Sequence, residues 1–145
     1  MIVKVENVSK AYYKIPVIRE MSLDIERGER IVILGPSGCG KTTFLRMIAG
    51  FIPPDKGRLV IDGQTVADNG KSIIAPESRQ VGMVFQDLAL WPHMTSYKNI
   101  EFGLKAKRVS KAEIRERIDA ILEKVQMVEF RNTYPGELSG GQQQR

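Results

Sequence analysis

The stretch Ile31-Val-Ile-Leu-Gly-Pro-Ser-Gly-Cys-Gly-Lys-Thr-Thr-Phe44 decides the fold. Ile31 to Leu34 is a short continuous apolar run, the pattern of a parallel strand buried on both faces. Gly35 to Gly40 is too rich in glycine to continue that strand, so the chain must turn. From Lys41 onward, Phe44, Leu45, Ile48 and Ala49 recur at helical spacing, and Gly50 stands where a C-terminal cap is expected. The spacing therefore predicts strand, glycine loop and helix in that order, an α/β arrangement.

Within this stretch, Gly35-x-x-x-x-Gly40-Lys41-Thr42 fits the P-loop pattern without a mismatch. Glycines here let phosphate oxygens approach the backbone amides of Gly35, Pro36, Ser37, Gly38, Cys39, Gly40, Lys41, Thr42 and Thr43, proline alone lacking one. Those amides and the positive end of the following helix make an anion cradle. Lys41 adds a point charge for the outer phosphates, and the Thr42 hydroxyl is placed to hold Mg²⁺.

Working outward, the chain of 145 residues has the length of one domain with a real core. Hydrophobic residues at 42% and charged ones at 27% describe an ordinary globular composition. No apolar run is long enough to span a bilayer, and the N-terminal Met-Ile-Val-Lys-Val-Glu lacks a signal-peptide layout. Membrane association is therefore expected only through a partner. The single cysteine, Cys39, excludes an internal disulfide and suits a reducing cytosol. A net charge of +5 permits an acidic partner, but the charges do not cluster. Lys105, Lys107, Arg108, Lys111, Arg115 and Arg117 are interleaved with Glu113, Glu116 and Asp119, as on a solvated helix face rather than a nucleic-acid patch.

Before the P-loop, Ile2, Val3, Val5 and Val8 predict one strand and Met21, Leu23 and Ile25 another. Between them, Ala11-Tyr12-Tyr13-Lys14 reads as a polar connection whose tyrosines are either packing or a flat platform for a base. After the first helix, Arg58 to Val66 reads as a hairpin across Asp62-Gly63. Asp68 to Arg79 reads as an exposed polar excursion, and Val81 to Phe85 as a second apolar strand ending on Gln86. A polar residue just past the C-terminal end of a parallel strand lies where such sheets hold ligands. The remainder is helical: Thr95 or Ser96 caps a helix through Leu104, and Ser110-x-x-Glu113 opens a longer one with Ile114, Ile118, Ile121, Leu122 and Val125 on one face. Tyr134-Pro135-Gly136 interrupts, and Ser139-x-x-Gln142 is a further capping box. Gly140 and Gly141 in its first turn leave amides uncovered, a second anion site.

Leu138-Ser139-Gly140-Gly141-Gln142, downstream of the P-loop and the Gln86-ended strand, matches the signature of the ATP-binding-cassette (ABC) ATPases, and the resemblance covers essentially the whole chain. The run from Val81 to His93 is most similar to importer ATPases of the sugar, iron and polyamine type. The resemblance implies a P-loop NTPase with a RecA-like core, an antiparallel β-subdomain and a helical subdomain. It divides the chain into residues 1–86 (β-subdomain and P-loop core), 87–137 (helical subdomain) and 138–145 (signature and the start of its helix). By the same resemblance Tyr12 matches the aromatic that stacks on adenine, Gln86 the glutamine that reaches Mg²⁺ and senses the γ-phosphate, and Lys41 the P-loop lysine of ATP. Ser139, Gly140, Gly141 and Gln142 match residues facing the ATP of a second subunit in a head-to-tail dimer. His93 matches a Pro-His element near a permease contact and is read as packing or interface.

The implied protein is the ATP-binding subunit of an import system: peripheral on the cytoplasmic face of the inner membrane, docked on a permease through its helical subdomain, and served by a solute-binding protein. In this family the Walker B aspartate, the glutamate acting on water and the switch histidine follow the signature. The sequence therefore reads as an N-terminal fragment, with the C-terminal half of the core missing, that binds ATP and Mg²⁺ without turnover. The competing readings are a soluble ABC-type ATPase acting on nucleic acid or the ribosome, and a short non-hydrolysing nucleotide-binding module.

Overall fold

The computed structural model of the chain describes residues 2–107 and 109–145; Met1 and Arg108, one of the charges named above, lie outside the described residues. The chain divides into two compact units, Met1–Met83 and Val84–Arg145.

The first unit is built on an antiparallel sheet of order β2-β1-β3-β4-β5. Its strands are β1 (Val3–Tyr12), β2 (Ile15–Ile25), β3 (Lys56–Ile61), β4 (Gln64–Asp68) and β5 (Lys71–Ser72), with helix α1 (Lys41–Ala49) in the same unit. In a regular strand Val5 and Val8 would point to opposite faces. The register shifts between them, at Asn7 with φ of 48°, and both valines are buried. Asparagine tolerates that left-handed backbone, and Ser22 secures it by accepting from the Asn7 N–H and donating to its Oδ1. Val5, Val8, Leu59 and Val66 then form one core with Phe44 and Met47 of α1. Full burial of each such side chain is worth about 1.5–3 kcal/mol.

Tight turns fix the sheet's registers. Asp62-Gly63 joins β3 to β4 with both residues at positive φ, as its sequence requires, and Asn69-Gly70 does the same between β4 and β5. The excursion read from Asp68 to Arg79 is therefore partly structured: a hairpin, then a short 3₁₀ turn at Pro76–Ser78. Ala11 and Tyr12 belong to β1 rather than to a connection, because Tyr13 and Lys14 alone make the turn, at φ of 49° and 68°.

Two expected strands do not form. Among the described residues every strand pairing is antiparallel, and neither 31–34 nor 81–85 pairs. Val32 is 78% exposed, Leu34 86% and Val84 93%. An apolar run becomes a strand only when a neighbouring strand supplies ladder hydrogen bonds, and here no described strand pairs with either run.

The end of the excursion holds the other correction. Arg79 is 3% exposed and is the hub of the first unit. Its Nη1 donates to the carbonyls of Met47 (2.8 Å) and Ile48 (3.1 Å) at the end of α1. Its Nη2 donates to Val66 O on β4 and Ser72 Oγ on β5, both at 3.0 Å, and its Nε to Ile74 O at 2.9 Å. A cation on the last carbonyls of a helix opposes the negative end of its dipole. Gly50 makes room: its φ is 95°, and a Cβ there would stand 2.6 Å from Arg79 Nε.

The second unit contains α2 (Ser96–Ala106), α3 (Lys111–Lys124) and the single turn α4 (Gly140–Gln143). Thr95 and Ser110 cap α2 and α3 by accepting from Lys98 N and Glu113 N. Ile114, Ile118 and Leu122 recur at helical spacing and are buried with Met127 and Leu138. Ile121, expected on that face, is 39% exposed. Charges on the outer faces pair along the helices, as Glu101 with Lys105 and Glu113 with Arg117. Arg131 stacks 4.4 Å over the Tyr97 ring and bonds Asp119, while its carbonyl accepts from Tyr97 N. The segment leading to the signature is thereby fastened to α2 and α3.

Candidate functional site

In the first unit, residues 35–39 form an exposed loop that enters α1 at Gly40. Gly40 has φ of 100° and occupies the cap position, with no side chain capping the helix and no acidic residue in the first turn. The positive end of α1 thus carries no side-chain cap and no acidic residue of its own first turn. Gly40 is required on two counts, since a Cβ would also stand 3.0 Å from both the Cγ1 and the carbonyl oxygen of Val17.

Lys41 lies across the loop. Its ammonium donates to the carbonyls of Gly35 (2.7 Å) and Pro36 (2.8 Å) and stands 3.5 Å from Cys39 Sγ. The Cys39 N–H donates to Pro36 O at 3.3 Å, closing the turn that contains Ser37 and Gly38. The lysine thus holds the mouth of the loop through carbonyls that carry no formal charge, an arrangement that a phosphate oxygen can outcompete. Thr42 is exposed on the first turn, with Thr43 half-buried beside it. Among the described residues no group of three His, Cys, Asp or Glu side chains gathers to hold a metal. One hydroxyl beside a phosphate cradle fits Mg²⁺, which takes few protein ligands when phosphates supply the rest.

The contact of Gly40 with Val17 brings the β1–β2 hairpin to the start of α1. Tyr12 pairs with Ile15 at the end of that hairpin and is 41% exposed, whereas Tyr13 in the turn is 98% exposed. Tyr12, the candidate base platform, is thus carried on the strand pair that abuts the P-loop. Sequence reasoning missed its neighbour Lys10, whose ammonium stands 5.8 Å over the Tyr12 ring. The one available signal was the i, i+2 spacing, which puts both residues on one face of a strand.

The remaining candidates belong to the second unit. Gln86 is exposed at the start of a turn closed by Leu88 N on Phe85 O, with Leu88 and Ala89 both at positive φ. His93 packs edge-on to Trp91, which also meets Phe102, so it is an exposed aromatic-cluster residue. The signature forms the expected capping box: Gln142 N donates to Ser139 Oγ at 3.3 Å, and Ser139 N donates to Gln142 Oε1 at 2.8 Å. Gln143 Nε2 ties the turn back to the Pro135 and Leu138 carbonyls, leaving Ser139, Gly140 and Gly141 on the surface.

The ABC transporter family model matches residues 18–145. The spermidine/putrescine import ATP-binding protein PotA of Bacillus cereus is 51% identical over 144 residues, which are 99% of this chain and 42% of that protein. The glucose import ATP-binding protein GlcV of Saccharolobus solfataricus is 49% identical over 143 residues, 97% of this chain and 40% of that protein. The trehalose/maltose import ATP-binding protein MalK of Thermococcus litoralis is 47% identical over 144 residues, 99% of this chain and 39% of that protein. A dimeric ATP-binding cassette in a post-hydrolysis state, bound to ADP and Pi, superposes with a TM-score of 0.83 at 33% identity, covering 98% of this chain and 65% of that one. The chain spans less than half the length of those curated relatives. Its P-loop and its signature turn both lie within the matched residues, and the chain belongs to the ABC transporter family.

Proposed function

We propose that this chain is the ATP-binding part of an import system, holding Mg-ATP on the P-loop and coupling it to solute passage through a membrane permease. The observation that carries the reading is the P-loop itself: a helix start without cap or acid, faced by a lysine resting on two neutral carbonyls. On binding, Lys41 leaves those carbonyls for the β- and γ-phosphates, and the first-turn amides of α1 take the remaining oxygens. Thr42 holds the magnesium ion, which neutralises charge between the phosphates. Tyr12 stacks on the adenine. Gln86 reports the γ-phosphate to the helical unit, and Ser139, Gly140, Gly141 and Gln142 face the ATP of a second subunit arranged head to tail.

The exposed Trp91, His93 and Phe102 belong to the 87–137 segment, and we assign that face to the permease. A solute-binding protein acts only through the permease. Among the described residues no helix is long and apolar enough to cross a membrane. Docking on a permease from the side where ATP is held would make the placement peripheral, at the cytoplasmic face. Solute choice does not reside in these residues, because relatives named for a polyamine, glucose and a disaccharide resemble the chain almost equally, at 51%, 49% and 47% identity.

Calorimetric titration of the chain with Mg-ATP tests the reading. Binding is expected for the parent and loss of it for Lys41→Ala, with no sustained phosphate release from the 145-residue chain alone. Equal affinity of the two proteins would overturn the site assignment, and sustained release abolished by Lys41→Ala would overturn the claim of binding without turnover.

A further inference from the structure

Asp55 lies 45 and 44 positions from Lys10 and Ala11 in sequence, yet it fastens the end of β1 in three places. Its Oδ1 accepts from Lys10 Nζ at 2.6 Å, its Oδ2 accepts from the Ala11 N–H at 2.8 Å, and its own N–H donates to Ser9 O at 2.8 Å. This happens where the sheet stops supporting the strand, since the β1–β3 ladder ends at Ser9 opposite Lys56. Beyond that point the outer edge of β1 has no ladder partner, and the carboxylate takes the place of one for Ala11. The next residue is Tyr12.

The carboxylate also determines where the Lys10 ammonium rests. That side chain is only 13% exposed, its stem covered and its ammonium fixed on Asp55 at the surface. Held by Asp55, the ammonium stands 5.8 Å over the Tyr12 ring. A cation against one face of an aromatic ring draws π density toward itself and improves the other face as a partner for an electron-rich base. The Lys10 hydrogen bond and then the Ala11 N–H hold the Asp55 carboxyl below its ordinary pKa, so it stays an anion.

We propose that Asp55, through Lys10 and the Ala11 amide, is a positioning residue for the base end of the nucleotide, setting Tyr12 for adenine stacking while leaving the phosphate end untouched. The proposal rests on the nucleotide reading of the P-loop and adds a determinant of base recognition to it.

The test is titration of the whole chain with two probes in the presence of Mg²⁺: ATP, which has a base, and inorganic tripolyphosphate, which has none. Asp55→Ala and Lys10→Met are each expected to weaken ATP about fivefold, the size of a partly desolvated cation–π contact, and to leave tripolyphosphate unchanged. Asp55→Asn, which keeps an acceptor for Ala11 but loses the charge that holds Lys10, is expected to fall between. In a Tyr12→Ala background, Asp55→Ala should add nothing further. Equal weakening of both probes would reveal a general structural role and overturn the proposal, as would unchanged ATP affinity in Asp55→Ala. Failure of the underlying reading looks different: Lys41→Ala would then leave both probes bound as before, or Tyr12→Ala would leave ATP affinity intact.

Discussion

Replacing Arg79 by methionine keeps most of the buried alkyl volume and removes the guanidinium. The carbonyls of Met47 and Val66 meet it in fully buried positions, at 2.8 and 3.0 Å, while the bonds to Ile48, Ile74 and Ser72 are only part-buried. Water can replace the guanidinium at the part-buried acceptors. The two buried carbonyls each lose one partner but keep backbone donors, Gly50 N on Met47 O and Ile73 N and Ile74 N on Val66 O, so the loss is that of a hydrogen bond rather than of an orphaned group, about 0.5–1.5 kcal/mol each. Loss of the cation at the C-terminal end of α1 adds about 0.3–1 kcal/mol. Against this, the variant no longer buries a charge, a burial that already lowers the Arg79 pKa. The net expectation is destabilisation by about 2 kcal/mol, a sizeable share of the ~5–15 kcal/mol that holds a domain together. Arg79→Lys should recover only part of it, because one ammonium cannot reach acceptors on α1, β4 and β5 as a planar fork does. Peptide-resolved hydrogen exchange of the chain is the suitable assay, with the Val84–Arg145 unit as internal reference. Protection should fall across α1, β4 and β5. Exchange in Arg79→Met matching the parent throughout those elements would refute the reasoning.

Two further expectations are open to direct measurement. Ser139→Ala removes the acceptor for Gln142 N, so the signature turn should lose about 1 kcal/mol of local stability, read as faster exchange at Gly140 to Gln143 with α3 unchanged; unchanged exchange in that turn would show that Gln143 alone holds it. The second concerns pH. Because the folded pKa of Asp55 is depressed, its contribution is complete above the unfolded value and disappears as pH falls through the folded one. Parent and Asp55→Asn should therefore differ in stability at neutral pH and converge below about pH 4, whereas parallel acid titrations would show that the Lys10 pair adds nothing.

What could be read in the sequence was what is decided within a few residues. The limits of α1, the Asp62-Gly63 turn, the Thr95 and Ser110 caps and the Ser139–Gln142 box each depend on groups up to nine positions apart, and all are present. The strands at 31–34 and 81–85 were misread because strand formation depends on neighbours that a local apolar pattern does not contain. The Tyr13-Lys14 turn carries neither glycine nor asparagine, and only the pairing of its flanking strands reveals it. The same division runs through the candidate site. The P-loop, Tyr12 and the signature were legible as motifs, but the clamp on Tyr12 joins positions 44 and 45 residues apart, and Arg79 reaches α1 over a separation of 32. Isolated charged residues in polar stretches give no sign of such partners.

The unequal ends of α1 have a mechanical consequence. With nine residues it is a rod of about 14 Å. Its far end is bolted to the sheet through polar bonds of Arg79 at several points, whereas its near end only packs against Val17 and Ile18 of the β1–β2 hairpin and passes through Gly40 into an exposed loop. A load applied at the near end cannot be relaxed by fraying at the other, where the terminal carbonyls are already engaged. The rod behaves as a cantilever: force exerted on the loop reappears at its root, as torque on β4 and on the 72–79 segment, and the compliance of the assembly is concentrated in the loop.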